Sequence, residues 1–146
     1  MNDEWMAIKE RRPATESYVG FVASRFDSPV EAARAFGLQG DEQAFQPIER
    51  DRAGQLLAYL LRFDMAYGSE RMTEEEVAVA IGALMKTFES EARFYSNGDW
   101  DQRSPEEECQ VAAGVRWVPA TGCTFDGGLL VLGEQGTACL WFGDES

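Results

Sequence analysis

Carboxylates are the side chains of this chain that could do chemistry, because the sequence contains no histidine. Without histidine, neither a Ser–His nor a Cys–His nucleophilic site can form. Cys109, Cys123 and Cys139 lack CxxC spacing, and a tetrahedral all-cysteine zinc site would need a fourth cysteine. With no secretion signal, we expect all three as reduced thiols. The sequence therefore predicts no metal site, no cofactor and no catalytic residue.

Acid–base chemistry could still be built from pairs of aspartates. Asp126 precedes two glycines and could act with Asp99, Asp101 or Asp144. Asp126-Gly127 is, however, the usual signature of a two-residue hairpin turn. The connection over 97–110 has no calcium-loop series, and its Ser-Pro-Glu-Glu run predicts a capped helical turn. A small-ligand protein or enzyme with a carboxylate site remains an alternative.

Helix start and stop signals predict about four helices before residue 97. The first runs from Thr15 through Phe26, and the second begins at Ser28-Pro29 and ends at Gly37. Pro47 opens a third helix that reaches Tyr67. A capping box at Thr73 starts a fourth, with apolar residues at helical spacing through Tyr95.

From residue 115 onward the pattern changes to short β-type runs separated by turn residues. These runs predict a four-stranded antiparallel meander over 115–142, with turns at 119–122, at Asp126-Gly127 and at 134–136. The expected fold is α+β, with the helical part (1–96) packed on one face of the meander. We expect a single domain spanning 1–146.

The predicted turns fix the register and hence the two faces of the meander. The face expected to pack on the helices carries Val118, Cys123, Phe125, Leu130, Leu132, Ala138, Leu140 and Phe142. The other face carries Trp117, Thr124, Leu129, Val131, Cys139 and Trp141. Because tryptophan is enriched in binding hot spots, this second face is a candidate partner surface. Alternatively, the N-terminal segment covers it through Trp5.

The charge is strongly unbalanced, with 26 acidic and 13 basic residues and a net charge of −13. Residues 97–146 hold nine acids and two bases, so they have the highest density of negative charge. Such a surface repels nucleic acid and anionic membranes and attracts basic partners. The alternative is that the acidity only maintains solubility. No signal peptide or membrane-length apolar run is visible, which favours a cytoplasmic protein.

The segment TFDGGLLVLGEQGTACLWFGDE resembles the C-terminal hairpins of small cytosolic immunity proteins from bacterial polymorphic-toxin systems. That resemblance implies a non-catalytic protein in a tight complex with a cognate toxin. We therefore predict an acidic inhibitor that neutralises a basic protein partner and does not itself bind nucleic acid. The partner-binding candidates are Asp99, Trp100, Asp101, Trp117, Leu129, Val131, Trp141, Asp144 and Glu145. A second alternative is a nucleic-acid mimic whose carboxylates replace phosphates.

Overall fold

The computed structural model describes residues 3–89, 91–102 and 115–145. Within these ranges the helices are α1 (Asp3–Arg11), α2 (Pro29–Ala35), α3 (Arg50–Arg62) and α4 (Glu74–Thr87). The strands are β1 (Glu16–Val22), β2 (Gln46–Ile48), β3 (Arg93–Ser96), β4 (Phe125–Leu132) and β5 (Thr137–Asp144). The predicted α+β class is confirmed.

The predicted four-stranded meander is wrong, because the sheet has five strands in the order β1-β5-β4-β3-β2, all antiparallel. Only the central hairpin, β4 and β5, comes from the C-terminal segment. The other three strands lie in the part of the chain that was expected to be helical. The C-terminal hairpin is thus the middle of a sheet whose outer strands precede it in sequence.

The helix predicted over Thr15–Phe26 is also wrong, because Glu16–Val22 pairs along its whole length with β5. Tyrosine, valine and phenylalanine favour strands, and a short apolar run cannot be assigned by periodicity alone. A similar correction applies at Pro47, which lies in β2, and at Tyr95, which lies in β3. In both places pairing with a distant segment overrides the local helical pattern.

The β1 assignment predicts an unusual titration for Tyr18. Its hydroxyl donates a hydrogen bond to Glu16, which lies two residues away on the same face of the strand. This bond, with partial burial, raises the pKa of Tyr18 from 10.0 to about 12. Since the folded pKa is the higher one, the stabilisation is complete below pH about 10 and is lost as the pH rises through about 12.

We expect NMR of labelled tyrosine to detect this raised pKa, with Tyr18→Phe assigning the signal. Glu16→Gln should bring the pKa of Tyr18 back toward 10.0. Glu31→Gln, an exposed change on α2, is the matched control and should leave it raised. An unshifted Tyr18 in the unmodified chain would contradict its hydrogen bond to Glu16.

The predicted Asp126-Gly127 turn does not form, because both residues lie within the continuous strand β4. The glycines instead allow two tryptophans to pack against the strand. A Cβ atom on Gly127 would lie 2.6 Å from the ring of Trp100, and one on Gly128 would lie 2.7 Å from the ring of Trp141. Glycine inside a strand often marks such a close approach rather than a turn.

The β4–β5 connection is where it was predicted, but it is one residue shorter. The N–H of Gly133 donates to the carbonyl oxygen of Gly136 at 3.0 Å, which leaves Glu134 and Gln135 as the loop. Leu129 therefore pairs with Leu140, where the expected register placed Leu130. A one-residue slip moves side chains to the opposite face, so the predicted faces are wrong for residues 129–132 of β4. They are confirmed for Phe125 and for Ala138, Cys139, Leu140, Trp141 and Phe142.

Both faces of the sheet are covered, so the expectation that helices pack on only one face is wrong. One face packs against α3 and α4 through Phe125, Leu129, Val131, Ala138, Leu140 and Phe142. The opposite face carries Leu130, Leu132, Cys139 and Trp141, and it packs against α2 and the segment that follows it. The central hairpin is consequently buried over its full length.

Two of the predicted helix starts are confirmed. Thr73 and Glu76 form a complete capping box at the beginning of α4. The hydroxyl of Ser28 accepts a hydrogen bond from the N–H of Glu31 at the start of α2, and Gly37 after this helix has a positive φ of 91°. These signals held because each depends on residues within one turn of the other.

Among the helices described, none combines the length and hydropathy needed to span a bilayer. Cys123 and Cys139 are free and buried. Burial raises the pKa of both thiols above the ordinary value. Cys109 and the helical turn predicted at 104–107 lie outside the described residues.

Candidate functional site

The predicted partner face does not exist as an exposed surface. Trp141, Leu129 and Val131 are all 0% exposed, and Trp141 lies on the opposite side of the sheet from the two aliphatic residues. Trp100 is also fully buried. The most exposed large apolar side chains in the described ranges are Tyr67, Val79 and Val118, which do not belong to that face. Partner binding by these four buried side chains remains a prediction, and such binding would require the protein to change its structure.

The remaining candidates converge at one end of the sheet, where β4 begins and β5 ends. Phe125 pairs directly with Asp144 across the two strands. The ring of Trp117 lies 5.7 Å from that of Phe125 and 4.7 Å from that of Trp100. Trp117 is only half-buried, and its backbone bridges to Gly98. This aromatic cluster therefore has one partly accessible member.

The segment over 117–121 crosses this end of the sheet, from Trp117 on one face to Ala120 on the other. It is held there by the carboxylate of Asp126, which is fully buried. The carboxylate accepts hydrogen bonds from the N–H groups of Ala120 and Thr121 and from the Thr121 hydroxyl, each at 3.1 Å. Asp126 is thus an anchor for this crossing segment.

Two side chains complete the surroundings of Asp126. Asn97 Nδ2 donates to it at 2.8 Å, and Trp141 Nε1 donates at 3.1 Å. Burial raises the pKa of Asp126, while the hydrogen bonds from Trp141, Ala120 and Thr121 act in the opposite direction. All of these donors belong to the protein itself, so intramolecular hydrogen bonds use the acceptor positions of the Asp126 carboxylate. This geometry does not support the alternative in which Asp126 acts as a catalytic acid or base.

Asp144 is likewise held by the interior. Its two oxygens accept hydrogen bonds from the guanidinium of Arg12 at 3.1 and 2.8 Å, and the N–H of Met65 adds a third at 2.9 Å. Arg12 is fully buried, and it also donates to the carbonyl oxygens of Leu60 and Phe63. Its guanidinium lies 5.0 Å from the centre of the Phe142 ring. The pair joins the end of α1 to the end of β5.

Asp99 and Asp101 are also engaged within the protein. Asp99 accepts the N–H of Arg116 at 3.0 Å. Asp101 binds Arg52 through two hydrogen bonds of 3.0 Å, and its side chain is only 8% exposed. This bond is the largest cause that raises the pKa of Arg52. These two carboxylates therefore position the connection after β3.

Glu145 is the one predicted acidic candidate whose side chain is open to solvent. It accepts hydrogen bonds from the hydroxyl and from the N–H of Thr124, and these bonds lower the pKa of Glu145. Together with Asp64, Tyr67, Arg71 and Asp144 it lines an open cavity of about 310 Å³. The cavity is polar, and its deeper carboxylates already have intramolecular partners.

A set of exposed carboxylates that the sequence did not single out lies along the β2 edge of the sheet. We call these four residues the acidic edge: Asp41, Glu42, Glu49 and Asp51. They flank β2 in the chain, and among the described strands β2 pairs only with β3. A count of charges over residues 41–52 does not reveal this set, because Arg50 and Arg52 offset two of the four acids.

Arg50 and Arg52 lie within the same stretch of chain, but their charges are directed away from the acidic edge. Arg50 donates to the carbonyl oxygens of Met85, in the last turn of α4, and of Phe88 and Glu89, just after it, at distances of 2.6 to 3.1 Å. That position suits a cation, because the C-terminal end of a helix carries partial negative charge. Arg52 is bound to Asp101. The four exposed carboxylates are thus left to face the solvent.

Among the residues described, no group of three or more histidine, cysteine, aspartate or glutamate side chains is arranged to hold a metal ion. Comparisons with protein-family models, with curated proteins and with solved structures found no match for this chain.

Proposed function

We propose that this chain is an acidic binding protein that neutralises a basic protein partner, with a toxin as the partner class. The observation that supports the proposal is the distribution of charge, rather than the aromatic face expected from the sequence. Next to β2, Arg50 donates to carbonyl groups at the end of α4 and Arg52 pairs with Asp101, while the four carboxylates of the acidic edge remain exposed.

Among the described residues, the buried charged side chains are Arg12, Asp64, Asp126 and Asp144, so burial removes little of the acidic excess and the surface stays strongly negative. A buried or paired guanidinium contributes little to the field that an approaching protein meets, whereas exposed carboxylates contribute fully. Such a field accelerates the encounter with a basic surface and depends strongly on salt. The proposed inhibitor thus finds its partner by long-range attraction and covers a basic functional surface.

We expect the chain to capture a basic protein from its native host at low salt, and the acidic edge to set the association rate. A variant with Asp41→Asn, Glu42→Gln, Glu49→Gln and Asp51→Asn should associate roughly tenfold more slowly at low salt. The difference should disappear at high salt because of screening. Stopped-flow or surface-plasmon measurements with the purified partner would give these rates.

The matched control removes the same four charges elsewhere, through Glu10→Gln, Asp27→Asn, Glu91→Gln and Glu134→Gln, all at exposed positions. Equal slowing by both variants would mean that net charge alone acts and that the acidic edge is not the docking region. If no basic protein is captured even at low salt, the proposed function fails. Competition by duplex DNA for the captured partner would favour the nucleic-acid mimic instead.

A further inference from the structure

The outer edge of β1 lies at the opposite side of the sheet from the acidic edge. β1 is seven residues long, and within the described part of the chain it pairs only with β5. Its sequence, ESYVGFV, carries one charge, at Glu16, and no proline. Exposed strand edges are usually protected by proline, by lysine or by brevity, since they can pair with another chain. β1 has none of these protections.

The other edge of the sheet shows the contrast. β2 has only three residues, its central residue is Pro47, and acidic side chains flank it on both sides. Proline removes a donor from the edge, and like charges repel a second copy. One edge of this sheet is therefore closed to strand pairing, while the other edge is long, apolar and regular.

The hydrogen-bond pattern identifies the backbone groups that β1 presents outward. The hydrogen bond between Gly133 and Gly136 determines which residues of β5 direct their backbone N–H and C=O groups toward β4. Because these directions alternate along a strand, the backbone groups of Cys139 and Trp141 are directed toward β1. Their partners, Gly20 and Tyr18, bond to β5. The N–H and C=O groups of Ser17, Val19 and Phe21 consequently point away from the sheet. Within the described residues these groups make no backbone hydrogen bond outside the sheet.

The side chains of β1 are self-complementary about its centre. If two copies run antiparallel with Val19 opposite Val19, then Ser17 faces Phe21 and Tyr18 faces Gly20. Each large side chain is set against a small one, and an aromatic ring opposite glycine is a favourable strand pair. The Glu16 side chains lie at opposite ends, each facing Val22. This register also brings the outward backbone groups of the two copies into hydrogen-bonding positions.

We propose that a second copy of this chain binds to the β1 edge, with a two-fold axis through Val19, so that the two five-stranded sheets form one continuous sheet. This dimer is independent of the proposed inhibitor function, because the acidic edge lies at the far side of each sheet. Each copy carries a net charge of −13, so repulsion opposes association. Added salt should therefore strengthen the dimer, whereas it weakens binding to a basic partner.

The test is sedimentation equilibrium of the full chain over a range of concentration and salt, with three variants. Val19→Pro removes an outward N–H, while the bonds to β5 stay in place because proline is tolerated on an edge strand. Val19→Ala shortens the same side chain but keeps the N–H, and it is the matched control. Ser17→Lys places a charge against Phe21 of the second copy, without changing the backbone.

We expect the unmodified chain to dimerise, with a lower dissociation constant at higher salt. Val19→Pro and Ser17→Lys should each raise this constant about tenfold or more while the circular dichroism spectrum stays unchanged, and Val19→Ala should change it far less. A chain that is monomeric at all salt concentrations overturns the proposal. A dimer that both variants leave intact overturns it as well, because another surface must then hold the copies together. Neither outcome affects the salt-weakened capture of a basic partner.

Discussion

Replacing Trp141 by alanine should unfold a large fraction of the protein, rather than remove a binding contact from a stable fold. The side chain is fully buried, its ring packs edge-on against Phe45 at 5.5 Å, and it lies against the backbone of Gly128. Truncation of a buried tryptophan typically costs about 3–5 kcal/mol. Loss of the indole N–H also deprives the buried Asp126 of a donor, which adds about 1 kcal/mol or more.

Urea unfolding followed by far-ultraviolet circular dichroism would measure this loss. Trp141→Phe keeps most of the volume and removes the N–H, so we expect an intermediate effect of about 1–2 kcal/mol. Trp117→Ala is the comparison on the half-buried side of the aromatic cluster and should cost less than Trp141→Ala. If Trp141→Ala unfolded like the unmodified chain and only weakened partner binding, the expected surface role would return and the placement of β5 would be wrong.

Asp144→Ala should destabilise the protein by about 3–5 kcal/mol, because it leaves the guanidinium of Arg12 buried without its carboxylate. The side chain of Arg12 is 0% exposed and that of Asp144 is 6% exposed, so the guanidinium has little contact with bulk water in the folded protein. The N–H of Met65 also loses its acceptor. The free energy of unfolding would again be obtained from urea titration.

A double-mutant cycle separates the ion pair from the other contacts of these side chains. Arg12→Met should cost much less in the Asp144→Ala background than in the unmodified chain, since the uncompensated charge is then absent. Glu70→Ala is the surface control: Glu70 pairs with Arg62 at 3.4 Å, and both side chains are substantially exposed. We expect less than about 1 kcal/mol there. Comparable losses at Asp144 and Glu70 would contradict the buried pair.

Residue types alone predicted part of the candidate site, but they did not predict which of its side chains are exposed. The sequence singled out Asp144 and Glu145 at the end of the last strand, and both line the cavity at the sheet end. It also singled out Trp117, which stays half-buried. It could not separate Glu145, which is exposed, from Asp144, whose charge is neutralised by an arginine far away in the chain. Arginine contacts across such separations have no local signature.

The glycines of β4 are a second case in which contacts with distant residues have no signal in the local sequence. Asp126-Gly127-Gly128 has the composition of a turn, and the sequence offers no sign that Trp100 and Trp141 occupy the space above these glycines. Once the turn is assumed, β4 is divided into two strands that pair with each other, which places Phe125 opposite Gly128 and not opposite Asp144. The separate one-residue error in the β4–β5 loop then puts residues 129–132 on the wrong faces, because side chains alternate along a strand.

The sequence by itself determined the features that depend on residues close together in the chain. These are the capping of α4 by Thr73, the start of α2 at Ser28, the loop between β4 and β5, and the excess of acidic residues. The tertiary structure alone decided that Glu16–Val22 is an edge strand, that Trp141 is core, and that Arg50 and Arg52 bind partners distant in the chain. The reason is physical: caps and turns are stabilised by hydrogen bonds over a few residues, whereas strand pairing, burial and ion pairing depend on segments that only folding brings together.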